Sequence, residues 1–229
     1  KEFSAFREKV RELSSKAIRK IDLNELRIRD FSVSKEYTNN LYEKIDLQSP
    51  YSYLIVGESG SGKTSLLKIL AGVSNYGVFN LRYERKGIEG FFDARNQSAY
   101  IGQYSSFSGD SFFEALGIND RNLSTALEYG ALLSLDELLK KHQSSGVEVL
   151  NYLSGGELQR CSIIRSLMTG RRYQFWDEPS SALDAKSKLA LAKLVSELSA
   201  EHVFLIVSHD DIFLNEINRS NFIKINVTK

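Results

Sequence analysis

The chain has 229 residues, enough for one large α/β domain or one domain carrying an inserted subdomain around a sizeable core. Thirty basic residues against 29 acidic ones leave a net charge of +1, so no global field favours nucleic acid or an anionic surface. The single cysteine, Cys161, excludes an intramolecular disulfide framework, and no apolar run approaches the roughly 20 residues that span a bilayer. The chain reads as soluble and carries no signal-peptide pattern. Its sole methionine is Met168, so a start at Lys1 reads as a fragment cut from a longer polypeptide, or as trimmed tag residues.

In chain order, residues 1–21 place Phe6, Val10, Leu13, Ala17 and Ile21 at helical spacing opposite a charged face. This predicts a helix within residues 1–24, either packed on its own domain or acting as a connector from an upstream segment. LRIRDFSVSKEY, residues 26–37, alternates apolar and polar side chains as a half-buried strand does. A second strand candidate lies around Leu41–Leu47, before Pro50. YSYLIV, residues 51–56, reads as a short buried strand.

The next stretch, GESGSGKTS, fits GxxxxGK[ST] with Gly57, Gly62, Lys63 and Thr64 on the fixed positions. Glycines let such a loop wrap a polyphosphate with backbone N–H groups pointing inward. Gly57, Glu58, Ser59, Gly60, Ser61, Gly62, Lys63, Thr64 and Ser65 are therefore the candidate phosphate cradle. Lys63 supplies charge to the outer phosphates, and the Thr64 hydroxyl can ligate Mg²⁺. A strand before the loop and the helix TSLLKILAGV after it are the context the motif requires. A nucleoside triphosphate site is the prediction.

VFNLRYE and SAYIGQ are further strand candidates. From about Phe112 to Leu150 the pattern is helical, as FFEALG, NLSTALEYGALL and SLDELLKKH, with Ser134 and Glu137 forming a predicted capping box. This run interrupts a strand–helix alternation that resumes with RYQFWDE, KSKLALAKLVSELSA, HVFLIVS and DIFLNEI. It predicts an inserted helical subdomain near residues 104–165 in a parallel sheet covered by helices. YQFWDE, residues 173–178, ends an apolar strand in two carboxylates. Asp177 then lies beside Mg²⁺ at the strand's C-terminal edge, and Glu178 points to the attacking water as general base. Gln174 has no evident reason to be in such a strand. Trp176 reads as core.

LSGGELQR, residues 153–160, identifies the wider pattern. Here the chain resembles the nucleotide-binding domain of ABC transporters, whose signature is LSGGQ followed by a helix. The resemblance covers the chain from about residue 25 to 229, with the motifs in the family's order. Gln103 looks like the Q-loop glutamine, Ser181–Asp184 like the D-loop, and His209 like the switch histidine. Tyr37 is the candidate for stacking on adenine, with Phe31 and Tyr42 as alternatives. His142 and His202 match nothing and read as surface or core residues.

The resemblance implies an α/β, P-loop NTPase fold: a mostly parallel central sheet, an antiparallel β subdomain from the N-terminal strands and the inserted helical subdomain. It further implies hydrolysis of ATP with Mg²⁺ held by Thr64, Gln103 and Asp177. Glu178 would be the base and His209 would contact the γ-phosphate. Ser154, Gly155 and Gly156 would cap ATP held by a second copy, so that two domains close head to tail, and Glu157 and Asp184 are further candidate nucleotide contacts.

A membrane domain on the same or a partner chain would be the other partner, on the cytoplasmic side of a membrane, with no nucleic acid involved. FSGDSFFEAL after Gln103 resembles the exporter pattern, while VEVLNY replaces the glycine-containing segment before the signature. With Glu after SGG, this is similar to exporters or to fatty-acyl and peptide-uptake half-transporters. Two other readings stand beside it: a soluble ABC-type ATPase acting on ribosomes or nucleic acid, and a nucleotide-binding module that no longer hydrolyses ATP. Glu178 and His209 argue against the second.

Overall fold

The computed structural model describes residues 27–29, 47–48, 51–73, 82–85, 88–91, 97–103, 106–217 and 222–227. The predicted N-terminal helix, Tyr37, Phe31 and Tyr42 lie outside them.

Among the described residues two sheets are present. β1 (Arg27–Arg29), β2 (Leu47–Gln48), β4 (Arg82–Arg85) and β5 (Ile88–Phe91) form an antiparallel sheet in the order β2-β1-β4-β5. β1 falls inside the alternating stretch that predicted it, whereas β2 begins only at the last residue of the Leu41–Leu47 candidate. β3 (Ser52–Val56), β6 (Ser98–Ile101), β7 (Tyr173–Asp177), β8 (Val203–Val207) and β9 (Phe222–Asn226) form the second sheet, in the order β6-β7-β8-β3-β9. All its pairings are parallel. The sequence reading did not anticipate β9, an edge strand whose residues are all partly or fully exposed and so lack the apolar run of its neighbours.

Strand alternation splits the core into two layers. Tyr53, Ile55, Tyr173, Phe175, Val203, Leu205 and Val207 point to one face and pack against Leu66, Leu67 and Leu70 of α1 (Lys63–Leu70). Leu54, Trp176, Phe204 and Ile206 point to the other. That face is covered by α5 (Gly155–Met168), α6 (Ala185–Leu198) and α7 (Asp211–Ile217), through residues such as Ile163, Ile164, Leu191, Val195 and Phe213. Both faces being covered is why these strands read as continuous apolar runs. Cys161 on α5 is fully buried, and burial pushes its thiol up to about 12.

Between β6 and α5 the described chain is helical: α2 (Phe112–Ala115), α3 (Leu123–Leu132), α4 (Asp136–Lys141) and a 3₁₀ segment, Val147–Tyr152. The capping box predicted at Ser134 and Glu137 does not form. Ser134 takes a left-handed φ of 56° and closes α3 instead. Its N–H donates to Ala131 O at 3.2 Å and the N–H of Leu135 donates to Gly130 O at 2.7 Å. This is the Schellman pattern, with Ser where Gly is usual. Orphan carbonyls at the end of α3 claimed the turn, and the α4 cap at Leu135 has no side-chain acceptor. A capping box does form at Ser154, with Glu157, and Ser111 is a simple side-chain cap on α2, where Glu114 accepts from Asp110 N.

Gln174 has a reason after all. It is fully buried in β7; its Nε2 donates to Arg171 O at 2.7 Å and its Oε1 accepts from Ser166 Oγ at 2.6 Å. The indole N–H of Trp176 donates into the same group, to Ser166 Oγ at 3.1 Å and Gln174 Oε1 at 3.3 Å. The network ties α5 to β7 through partners that satisfy one another, which a buried polar group requires. His142 and His202 are structural: each ring Nδ1 lies 3.1 Å from an oxygen, Ser145 Oγ and Arg171 O respectively.

Candidate nucleotide and catalytic site

The candidate site gathers at the C-terminal ends of β3, β7 and β8, where ligands of open α/β sheets bind. The loop after β3 is bounded behind by β9. A Cβ on Gly57 would come 2.3 Å from Val227 O, so only glycine allows that approach. Gly62 holds φ at 96° as the N-cap of α1, a conformation that side chains disfavour. On the crest of the loop, a Cβ on Gly60 would meet nothing within 4 Å. Glu58, Ser59 and Gly60 are exposed, as are Thr64 and Ser65 in the first turn of α1, where no acidic side chain opposes an anion.

Lys63 is nearly buried, with Nζ donating to Gly57 O at 2.9 Å and Glu58 O at 2.7 Å. An ammonium has three donors, so two fix it across the loop and one remains for a phosphate oxygen. The Thr64 hydroxyl donates to Asp177 Oδ1 at 3.1 Å, joining the loop to the end of β7. Burial pushes the Asp177 carboxyl up, while the Thr64 hydrogen bond and the cations of Lys68 and Lys63 pull it back. Among the described residues no group of three or more His, Cys, Asp or Glu side chains could hold a metal. A hydroxyl and one carboxylate at the edge of a phosphate loop nonetheless fit Mg²⁺, which usually takes few protein ligands and completes its shell with phosphate and water. Gln103 is exposed two residues beyond β6, the strand that pairs with β7.

β8 lies between β3 and β7, and that order brings Glu178 and His209 together. Glu178 follows β7 with φ at 52°, a left-handed conformation that costs a non-glycine residue energy and commonly marks functional sites. Its N–H donates to Val207 O at 2.8 Å. Its Oε2 accepts the His209 backbone N–H at 3.2 Å, and Oε1 lies 3.9 Å from His209 Nε2. The turn carrying His209 is fixed from behind by Asp210, which caps α7 through Phe213 N and forms an ion pair with Lys188 on α6. Burial raises the Asp210 carboxyl, but the Lys188 and Phe213 hydrogen bonds outweigh it and leave the group below its ordinary value. The sequence reading missed this pair. The only signal was Asp210 standing three residues before Phe213 at a helix start.

Ser154, Gly155, Gly156 and Glu157 open α5. A Cβ on Gly156 would come 2.9 Å from Ala182 O, so the signature turn packs directly on the loop following Glu178. In that loop, Asp184 is the N-cap of α6, accepting from Ser187 N at 2.8 Å, which holds its carboxyl below the ordinary value. Arg160 of α5 donates to Ser187 Oγ at 3.0 Å. The structure thus assigns Asp184 a capping role and places it beside the signature helix.

Lys63→Ala is expected to weaken ATP binding at least tenfold, since it removes the cation spanning the loop while leaving α1 and its packed face in place. Isothermal calorimetry checks it, and equal affinity in mutant and parent would contradict the assignment.

The sequence profile of the ABC transporter family matches residues 44–181. The lacticin-481/lactococcin-DR transport/processing ATP-binding protein of Lactococcus lactis subsp. lactis is 29% identical over 208 residues, covering 85% of this chain and 29% of that protein. The macrolide export ATP-binding/permease protein MacB of Campylobacter jejuni subsp. jejuni is 32% identical over 173 residues, covering 68% of this chain and 26% of that protein. The chain spans under a third of either relative. A bacterial Atm1-family ABC exporter with ATP bound superposes with a TM-score of 0.67 at 16% identity, over 91% of this chain and 39% of the exporter. The last likeness shows the fold, a mixed α/β domain with a parallel central sheet. The matched profile covers more than half of the 229 residues, and the chain belongs to the ABC transporter family as an ATP-binding ATPase domain.

Proposed function

We propose that this chain is the motor of a transporter whose membrane-spanning part lies on the same polypeptide or a partner, and that two copies close head to tail around ATP. The observation that carries the dimer is the placement of the two phosphate-contacting elements. The phosphate loop opens α1 on one face of the parallel sheet, whereas Ser154–Gly156 open α5 on the opposite face. A second copy would bring a signature to the first copy's nucleotide. Transport is favoured over action on ribosomes or nucleic acid by the relatives, which are transport and export proteins, and by the near-neutral charge. Among the described residues no helix is long and apolar enough to cross a membrane, so the membrane part would be a separate region.

In this reading the loop amides and Lys63 hold the β- and γ-phosphates, and Tyr37 stacks on the adenine. Thr64, Asp177 and Gln103 would hold Mg²⁺, which when bound neutralises charge on phosphate oxygens. Glu178, oriented by the His209 N–H, accepts the proton of the attacking water, and the His209 side chain contacts the γ-phosphate. In the same reading residues 1–24 would be the connector and residues about 104–165 the inserted helical subdomain.

The test is light scattering on Glu178→Gln with and without ATP. The isolated chain is expected to be a monomer with feeble ATPase, and ATP is expected to drive it to a dimer once hydrolysis is blocked. Ser154→Arg in the same background should abolish the association. A dimer that forms without ATP, or survives Ser154→Arg, overturns the reading.

A further inference from the structure

We infer that Glu157 sets the affinity of the signature for a partner copy's ATP, by holding the Ser154 hydroxyl and placing an anion where a triphosphate must dock. The inference rests on the head-to-tail reading above. It starts from a bond that serves a second purpose. Ser154 Oγ accepts the Glu157 N–H at 3.3 Å, as a helix cap does. The proton of the same hydroxyl goes to Glu157 Oε2 at 2.6 Å, and the Ser154 N–H goes to the same oxygen at 2.8 Å. One carboxylate oxygen therefore takes both polar hydrogens that Ser154 could offer a phosphate.

The carboxylate is firmly ionised. Hydrogen bonds from the Ser154 side chain and backbone hold it below its ordinary value, with Arg160 adding a smaller pull. The group is also accessible, since Ser154 and Gly155 are exposed and Glu157 is partly so. A phosphate approaching this turn meets a hydroxyl whose proton is already given to Glu157, with the negative charge 2.6 Å from that hydroxyl. Seating it requires the Ser154 hydroxyl to leave Glu157 and two anions to share one helix start. A charge-assisted hydrogen bond must break before a new one forms.

The carboxylate also serves the fold: it completes the capping box and complements the positive end of α5. The fold alone would be served by either Glu or Gln, because the box works with both. The difference between them is the charge, and the charge acts on whatever docks at the turn. Glu157 is therefore a residue that lowers the affinity of closure without being needed for it.

The experiment compares Glu178→Gln with Glu178→Gln/Glu157→Gln, measuring ATP-dependent dimerisation by analytical ultracentrifugation at low and high salt. Removing the charge should tighten the dimer about tenfold at low salt, and the gain should shrink as salt screens it. A capping role alone predicts no salt-dependent gain, and melting of both proteins without ATP gives the structural cost separately. Equal dimerisation constants, a weaker dimer, or a gain indifferent to salt overturns the inference about Glu157 and leaves the head-to-tail reading standing. Absence of ATP-driven association in both proteins removes that reading and this inference with it.

Discussion

Glu178→Gln is expected to bind ATP and to lose turnover by about a hundredfold or more, the usual cost of losing a general base. The two side chains have the same shape, and the amide oxygen can still accept the His209 N–H that the carboxylate accepts at 3.2 Å. The backbone at φ 52° and the Glu178 N–H bond to Val207 O do not depend on the side chain. What disappears is the ability to take a proton from water. Phosphate release in the steady state and in a single turnover checks this. Turnover near the parent's value would take Glu178 out of the base role and direct attention to His209.

The second large effect is on stability. Trp176 is fully buried, its ring stands edge-on to Phe204 at 4.9 Å between centroids, and its indole N–H feeds the Ser166–Gln174 pair. Trp176→Ala removes the largest fully buried side chain and leaves a cavity, at a cost of about 3–5 kcal/mol. Against a total stability of about 5–15 kcal/mol this brings the domain close to unfolding. Trp176→Phe keeps most of the ring contact with Phe204 but withdraws the N–H from Ser166 and Gln174, and should cost about 1–3 kcal/mol. Urea unfolding of the two variants separates packing from hydrogen bonding. A loss below about 1 kcal/mol for the alanine variant would contradict the placement of Trp176 in the packed core.

Much of this was legible in the sequence because the relevant signals are short in range. Gly57 to Ser65 is nine residues of backbone geometry and charge, and YQFWDE is one strand and its end. Strands β3, β7 and β8 announced themselves as apolar runs because each is covered on both faces. The reading failed where two local rules competed or where the partner was distant. At Ser134 the end of α3 and the start of α4 both claimed the same turn, and helix closure prevailed. The same Ser-x-x-Glu pattern did make a box at Ser154, where no preceding α-helix needed ending. Gln174 looked anomalous because its partner Ser166 meets it only when α5 packs on β7. β9 was missed because it is half exposed, and its reason for being a strand is pairing with β3, remote in sequence.

That pairing has a consequence for how the chain is made. The strand SYLIV, which carries the phosphate loop, has β8 on one side and β9 on the other. Its Ser52 hydroxyl accepts from Phe204 N, 152 residues away, and its backbone pairs with Phe222 through Asn226. On the ribosome this apolar segment therefore emerges well before both partners and waits, edges bare, while the helices and β7 are synthesised. Local closure can guide those helices, but the strand's own partners arrive only with the final stretch of sequence described. Such delayed parallel pairing folds slowly and leaves sticky backbone exposed in the meantime. The nucleotide loop gains its rear wall at Val227 only when translation has passed β9.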